Sequence, residues 1–457
     1  MGNAATSPEV YSTQVRGQYE DYPYPFRDVE KEGTFFSCCD AYSMMAMSHA
    51  GWGGKRDMRK GLRILAAGCG TGDAIIHYAE ELIGTDAEIV AIDISAKSLE
   101  IAQARMKKRG LTGVTFKHMS ILDLPEVGLG EFDVVDSSGV LHHLPDPEAG
   151  LAALARMLKD DGLMTLMVYA QYGRYSVYLV QELMNKLLSE DMPRAQKISI
   201  ARDFLNQVPQ GHWITVNNAL FLEDMRWPDG SGIYDLFLHS TDRAYTVPQI
   251  YDWVEGRGLV LNEFFGDLTD DSMYLPESYT NSPDILQLVA NKSPRERHAI
   301  AELMSGSIAK HFFYAGKQTK TSAQFADDMV ITHGPMQHLF SDFVKGFMAA
   351  LEKAPMGQRV DGNPRPLFAY APHLYVTKTP HVLALMPLID GRRSIGEIVA
   401  LATQQSGSPA AEVRRDLETL YKEYRTRQLV FLRHASIPPY KTGQDIIARV
   451  NAFQGRA

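Results

Sequence analysis

Residues 64 to 73 read ILAAGCGTGD, an apolar run that gives way to Gly68, Gly70 and Gly72 within a few positions. A strand that ends in Gly-x-Gly-x-Gly and enters a helix lays bare backbone at the carboxyl edge of a sheet, where a ligand can come close. Taken alone, such a loop fits a nucleotide-derived ligand or a tight turn, and the residues downstream must decide.

From Leu62 to about Ala170, short β-rich runs alternate with helical stretches, which predicts a parallel sheet covered on both faces. Strands are expected at 62–67, 88–93, 114–119, 132–138 and 163–169, with helices near 73–83, 96–108 and 147–158 and a polar turn at Lys159, Asp160, Asp161 and Gly162. Asp93 closes the second strand about twenty residues after the loop, where a carboxylate accepts from both hydroxyls of a ribose. Ile94 is placed to lie on an adenine face. Asp123 follows the third strand and is placed to receive an adenine amino group, with Leu122 or Ile121 beside it. The fourth strand ends in DSSGVLHHLPDP and brings Ser138 to the same edge.

The segments ILAAGCGTGD, AIDIS, SILDL and FDVVDSSGVLHHLPDP resemble the successive motifs of class I S-adenosylmethionine-dependent methyltransferases, over roughly residues 60 to 170. The resemblance implies an α/β fold with a Rossmann-like seven-stranded sheet and S-adenosylmethionine as cofactor. It places Gly68, Gly70 and Gly72 behind the methionine portion, Asp93 on the ribose, Ile94 and Leu122 around the adenine, and Asp123 on its amino group. Ala66 departs from the pattern, because this class carries Asp or Glu there. A water, a backbone group or the N-terminal tyrosines are then expected to meet the cofactor's ammonium. QYEDYPYPF (18–26), with Tyr19, Tyr22 and Tyr24, resembles the YxxYPYP leader of a bacterial methyltransferase subset, a segment that folds over the cofactor.

The division expected is a cofactor-capping segment over 1–60, a catalytic core over 61–317 and a C-terminal domain over 318–457. A helical, aromatic insertion at about 171–245 is read as a lid. Beyond it, 246–266 reads as helix, turn and strand, and 311–317 as one more strand. Acceptor-side candidates cluster in this region: Tyr172, Arg174, Tyr178 and Gln181, then Tyr234, Asp235, His239, Asp242, Arg243 and Tyr245. Asp235 and His239 are four apart and can share a helical face, and Asp242 beside Arg243 can anchor an acceptor. His142 and His143 lie where acceptors bind in this class, so one of them is a candidate base. Neither His-x-x-x-His nor a cysteine cluster occurs, so no metal is expected.

In the C-terminal part, QTKTSAQFADD is a candidate linker. The blocks LALMPLIDGRRSIGEIVALA and VRRDLETLYKEYRTRQLVFL, within about 367–434, resemble small winged-helix modules and the regulatory unit of bacterial protein-lysine methyltransferases. That likeness implies a protein or peptide side chain as acceptor, with the unit recognising substrate or controlling a homodimer. A small-molecule acceptor enclosed by the aromatic lid is the alternative. A third reading sets Arg414, Arg415, Lys422, Arg425 and Arg427 on nucleic-acid phosphates, against which stand Asp416, Glu418 and Glu423. The formal net charge of -9 also speaks against a nucleic-acid or anionic-membrane partner. Cys38, Cys39 and Cys69 form no disulfide framework, and no apolar stretch reaches the roughly 20 residues that span a bilayer, so a cytoplasmic location is expected. The start MGNAAT matches the short N-myristoylation pattern through Gly2 and Thr6.

Overall fold

The computed structural model describes residues 8–33, 40–216, 222–239, 241–265, 274–320, 322–334, 341–361, 375–426 and 428–455. Gly2, Thr6, Cys38, Cys39 and Arg427 lie outside the described residues, as does the start of the expected winged-helix block up to residue 374.

Helix α1 (Pro8–Asp21) opens the described chain, and α2 (Met44–Trp52) follows. Ser43 caps α2 by accepting from the Met45 amide, and Gly53 ends it with φ 60°. Met44, Met45, Ala46, Met47 and Ala50 of α2 are all buried. This stretch of the N-terminal segment is therefore core packing, and among the described residues Tyr24 and Pro25 of the part before Gly33 meet the glycine loop.

The βα units are β1 (Arg63–Ala67), α3 (Asp73–Leu82), β2 (Glu88–Asp93), α4 (Ala96–Lys108), β3 (Val114–His118), β4 (Phe132–Ser138), α5 (Pro147–Met157) and β5 (Leu158–Ala170). The lid comprises α6 (Tyr175–Leu187), α7 (Arg194–Gln207), α8 (Trp213–Val216), α9 (Leu222–Met225) and α10 (Ser231–Phe237). The chain then returns through β6 (Ala244–Tyr245), α11 (Val247–Glu255), β7 (Val260–Phe265), α12 (Pro283–Ala290), α13 (Pro294–Ser305) and β8 (Lys310–Gly316). The strand order is β3-β2-β1-β4-β5-β8-β7, with β6 beside β5. Strands β1 to β5 pair in parallel, and β8 runs antiparallel between β5 and β7. Apolar residues cover both sheet faces: Leu65, Val90, Val135 and Leu166 pack towards α5 and α11, and Ile64, Ile89, Val134 and Leu163 pack towards α2 and α3. Each of these buried aliphatic side chains contributes about 1.5–3 kcal/mol by leaving water.

The polar turn expected at Lys159–Gly162 is instead part of β5, as an irregularity where the register with β4 shifts between Phe132 and Val134. A bulge lets Asp160 and Asp161 face solvent without ending the strand. Helices α12 and α13 were not anticipated. Both begin with a serine cap followed by proline, at Ser282-Pro283 and Ser293-Pro294.

The C-terminal part contains β9 (Met329–His333), α14 (Ser341–Lys353), β10 (Arg359–Asp361), β11 (Tyr375–Thr377), α15 (Val382–Leu385), α16 (Ile395–Ser406), α17 (Ala410–Thr426), β12 (Val430–His434) and α18 (Gly443–Phe453). The expected capping box of Ser394 with Glu397 opens α16, and Val413, Leu417, Leu420 and Tyr424 of α17 are buried. Strand β12 pairs antiparallel with β9, so its partner lies well outside 367–434. The expected linker is not a free tether either, since Ala323 is buried and its amide donates to the His49 carbonyl at 2.9 Å. Helix α18 then comes back to the core, where Arg449 pairs with buried Glu80 and Phe453 lies under Gly110. Of the basic residues offered for phosphates, Arg414 pairs with Asp327, Arg425 with Glu263, and Lys422 with Glu418 at 2.7 Å. Among the described residues, no helix is long and apolar enough to cross a membrane.

Candidate active site

The loop after β1 is held open by its neighbours. The Gly68 amide donates to Ile92 O at 2.9 Å, and Gly72, at φ +102°, leads into α3. Gly70 has φ +51°, and a Cβ on it would stand 2.7 Å from the Tyr24 carbonyl oxygen. Asp93 accepts from the Gly70 amide and the Ser95 amide, each at 2.8 Å, which ties the end of β2 to the loop. Burial raises the Asp93 carboxyl above its ordinary range, and the two amides oppose that rise.

The leader covers this edge. Thr71 donates to Pro25 O at 2.7 Å, and Ser95 donates to Tyr19 O at 3.1 Å. The Glu20 carboxylate accepts from the Ala96 amide at 2.7 Å, at the positive end of α4. Arg27 and Arg105 both pair with Asp73, and Arg105 and Arg109 both pair with buried Glu32 at 2.5 Å. Ile94 is half-buried, while Leu122 and Asp123 are exposed in the turn after β3. Bare backbone, a carboxylate at the end of β2 and apolar flanks are the donor set an adenosyl ligand requires, and the residues present fit it.

Ala66 pairs in register with Asp136 of β4, and Asp136 in turn with Thr165 of β5. Asp136 is buried and accepts from the Ser138 hydroxyl at 2.8 Å. Burial pushes its pKa up to about 7, with Ser138 and the Tyr78 hydroxyl of α3 pulling the other way.

A second, largely buried cluster gathers at the ends of β4 and β5 under the lid. The Tyr19 hydroxyl of α1 donates to Asp235 Oδ1 at 3.3 Å, and the Tyr169 hydroxyl donates to Asp235 Oδ2 at 3.1 Å. His143 stacks on His239 with centroids 4.0 Å apart, and His142 lies on Tyr169 at 3.9 Å. The backbone of Thr241 sets both tautomers. Its amide donates to His239 Nδ1 at 3.0 Å, so neutral His239 carries its proton on Nε2, 3.3 Å from the Tyr19 oxygen. Its carbonyl accepts from His143 Nδ1 at 3.0 Å, so the lone pair of neutral His143 is on Nε2. Burial lowers the pKa of His142 and His239, helped by neighbouring His143, and burial raises those of Asp235, Tyr19 and Tyr169. Arg174 lies 3.5 Å over the Tyr169 ring and 3.5 Å from Asp242, which also receives Gln181 Nε2 at 3.1 Å.

The predicted residues thus divide. His142, His239, Asp235 and Asp242 come together, with Tyr19 reaching this cluster from the leader. Arg243 is half exposed and pairs with Glu148 of α5 at 3.6 Å, and Tyr245 stacks on Trp253 of α11, so these two look away from it. Tyr22 stacks on Tyr234 and Tyr24 donates to Asp224 at 3.4 Å, so both rings join leader to lid. Tyr169 went unremarked in the sequence, inside a strand read as apolar core, and Asp136 figured only as the first residue of the polar strand end DSSGVLHHLPDP, without a role of its own. A hydroxyl-bearing residue at the carboxyl end of the fifth strand was the available signal. His143, Asp235 and His239 also bring ligand-type atoms within 4.8 Å of one another, a grouping that local spacing did not show.

Residues 58–212 match the protein-family model described as a methyltransferase domain. An uncharacterized protein of Synechococcus sp. is 32% identical over 279 residues, covering 59% of this chain and 64% of that protein. A ubiquinone biosynthesis O-methyltransferase of Thiobacillus denitrificans is 35% identical over 111 residues, 24% of this chain and 46% of that protein. The chain therefore spans just under two thirds of the first relative and less than half of the second. In fold, the chain is similar to PKMT2 from Rickettsia typhi, with TM-score 0.61 and 14% identity over 88% of this chain and 77% of that one. PKMT2 has also been solved in complex with AdoHcy, and that structure aligns with TM-score 0.59. Residues 58–212 are thus a methyltransferase domain, and the sheet order and glycine loop are those expected of a class I S-adenosylmethionine-dependent one.

Proposed function

We propose that the protein transfers a methyl group from S-adenosylmethionine to an amine nitrogen, with a protein or peptide side chain as the favoured acceptor. The observation that carries this reading is Asp235: buried, held by two tyrosine hydroxyls, reached by the charges of His143 and Arg174, and with no lysine or arginine at ion-pair distance among the described residues. A buried carboxylate of this kind is costly unless a cation joins it, and an amine acceptor arrives as a cation. When bound, S-adenosylmethionine supplies the methyl carbon, whose bond to sulfur breaks as the acceptor's lone pair forms the new bond to carbon. Asp235 and Tyr19 orient the amine, and His143 Nε2 takes the proton it must lose. The leader and lid exclude water, which favours a displacement whose transition state spreads the sulfonium charge over sulfur, carbon and nitrogen.

The likeness in fold to PKMT2 supports the protein acceptor, and the C-terminal part, read as a winged-helix-like regulatory module that recognises substrate or controls a homodimer, agrees with it. The second reading is a small-molecule acceptor, for which the enclosure of the cluster by a single chain and the names of the O-methyltransferase relatives speak. The cysteine usage fits a cytoplasmic setting. The experiment is transfer of labelled methyl from S-adenosylmethionine in a lysate. Label in acid-precipitable protein, recovered as an N-methyl side chain, supports the first reading, and label confined to an extractable metabolite overturns it in favour of the second.

A further inference from the structure

We infer that Asp136 supplies the negative charge that Ala66 lacks, and that it receives the α-ammonium of the cofactor's methionine portion. The inference rests on the reading of this edge as an S-adenosylmethionine site. Ala66 and Asp136 are register partners on adjacent parallel strands, so their side chains leave the sheet on the same face, about 4.8 Å apart along the hydrogen-bonding direction. That face is the one towards α3 and α4, where Ala66 packs with Ile75, Ala91, Ala102 and the loop residue Cys69. The Asp136 carboxyl turns up the strand to meet the Ser138 hydroxyl at 2.8 Å, towards the carboxyl edge and the glycine loop. It is close enough to Cys69 to add to the upward push that burial and Asp93 place on that thiol.

The surroundings lack a counter-charge. Ser138 on its own strand, Tyr78 on α3, Cys69 in the loop and Thr165 on β5 are the polar groups around Asp136, and no lysine, arginine or histidine pairs with it among the described residues. The Thr165 hydroxyl is itself buried without a hydrogen-bond partner among the described residues. A carboxyl buried beside bare backbone, with an unpartnered hydroxyl next to it, is built for a ligand that brings a cation and hydrogen-bond donors. Moving the acid one strand over keeps it at the same depth below the loop, which is why the alanine in β1 does not remove the subsite.

The test is calorimetric binding of S-adenosylhomocysteine, which carries the ammonium, and of 5′-methylthioadenosine, which does not. For Asp136→Asn the expected result is a loss of about 10- to 100-fold in affinity for the first, the scale of one charge-assisted hydrogen bond, with the second unchanged. Adding Ala66→Asp to Asp136→Asn is expected to restore the loss, and this double variant decides the matter if the single one is poorly folded. Unchanged affinity for S-adenosylhomocysteine, equal losses for both nucleosides, or no rescue by Ala66→Asp each overturn the inference. If the unaltered protein binds neither nucleoside, the cofactor reading itself fails and the inference with it.

Discussion

The Tyr19 hydroxyl lies 3.3 Å from Asp235 Oδ1, joining residues 216 positions apart in the chain. Leader and lid therefore meet at this hydroxyl in the candidate acceptor site, where His239 Nε2 also lies 3.3 Å from the same oxygen. Replacing Tyr19 by Phe removes the bond and little volume. Turnover is expected to fall about tenfold, the scale of one buried hydrogen bond, while affinity for S-adenosylhomocysteine stays unchanged in calorimetry. A matching loss of cofactor affinity would instead put Tyr19 on the cofactor.

Asp235 should set the acid side of the activity profile. Burial raises its carboxyl above the ordinary range, and only the ionised form attracts an ammonium, so kcat/KM for the acceptor is expected to rise with pH through that raised value. In Asp235→Asn this limb should vanish and kcat/KM should drop by about 100- to 10,000-fold. A profile with the same limb in both proteins would assign it to another group.

Asp136 gives a stability signature in the ligand-free protein. Its native pKa of about 7 exceeds the usual 3.8, so the folded state keeps a proton that the unfolded chain releases. Its contribution is full below the unfolded value and is lost as pH rises through the folded one, by an upper bound of roughly 4 kcal/mol. Asp136→Asn is expected to gain stability relative to the unaltered protein between pH 5 and about 7, and denaturant melts at several pH values would read that gain. Parallel pH dependences would show that Asp136 does not titrate in this window.

Gly70→Ala should block the loop. The new methyl group meets the Tyr24 carbonyl oxygen at 2.7 Å from a backbone at φ +51°, so the loop or leader must shift. Cofactor affinity is expected to fall by at least tenfold with a modest change in Tm, measured by calorimetry and thermal melts. Gly84→Ala, also at positive φ but with open space around it, is the control for backbone strain alone.

Metal removal should change nothing. His239 has its Nδ1 taken by the Thr241 amide and its proton on Nε2, so it offers no lone pair to an ion in this arrangement, although His143, Asp235 and His239 stand close together. Activity in chelator is expected to equal activity without it. Loss on chelation with recovery on adding a divalent ion would make these residues a metal centre.

Much of the cofactor half was legible because its signals are local. The glycine loop and the capping box at Ser394 each involve residues within a few positions of one another, where backbone sterics and short hydrogen bonds act, and Asp93 ends the very next strand of the same βαβ unit. The acceptor half was only partly legible. Candidates such as Asp235, His239 and Asp242 were found by residue type, but Arg243 and Tyr245 stand beside them in the chain and face α5 and α11 instead. Adjacent side chains in a short strand leave on opposite faces, and the face is chosen by packing elsewhere.

The same limit applied to the C-terminal part, where the partner of β12 lies far back in the chain at β9, and where α18 returns to Glu80 through Arg449. By itself the sequence determined the alternation of strands and helices, the loop that bares its backbone, and the missing acid at Ala66. Only the tertiary structure decided that Asp136 stands beside that alanine, that Tyr19 reaches Asp235, and that one backbone unit at Thr241 sets the protons of His143 and His239. Local propensity acts over a turn of helix or a strand. These juxtapositions depend instead on strand register and on how leader and lid close, which residues distant in the chain settle together.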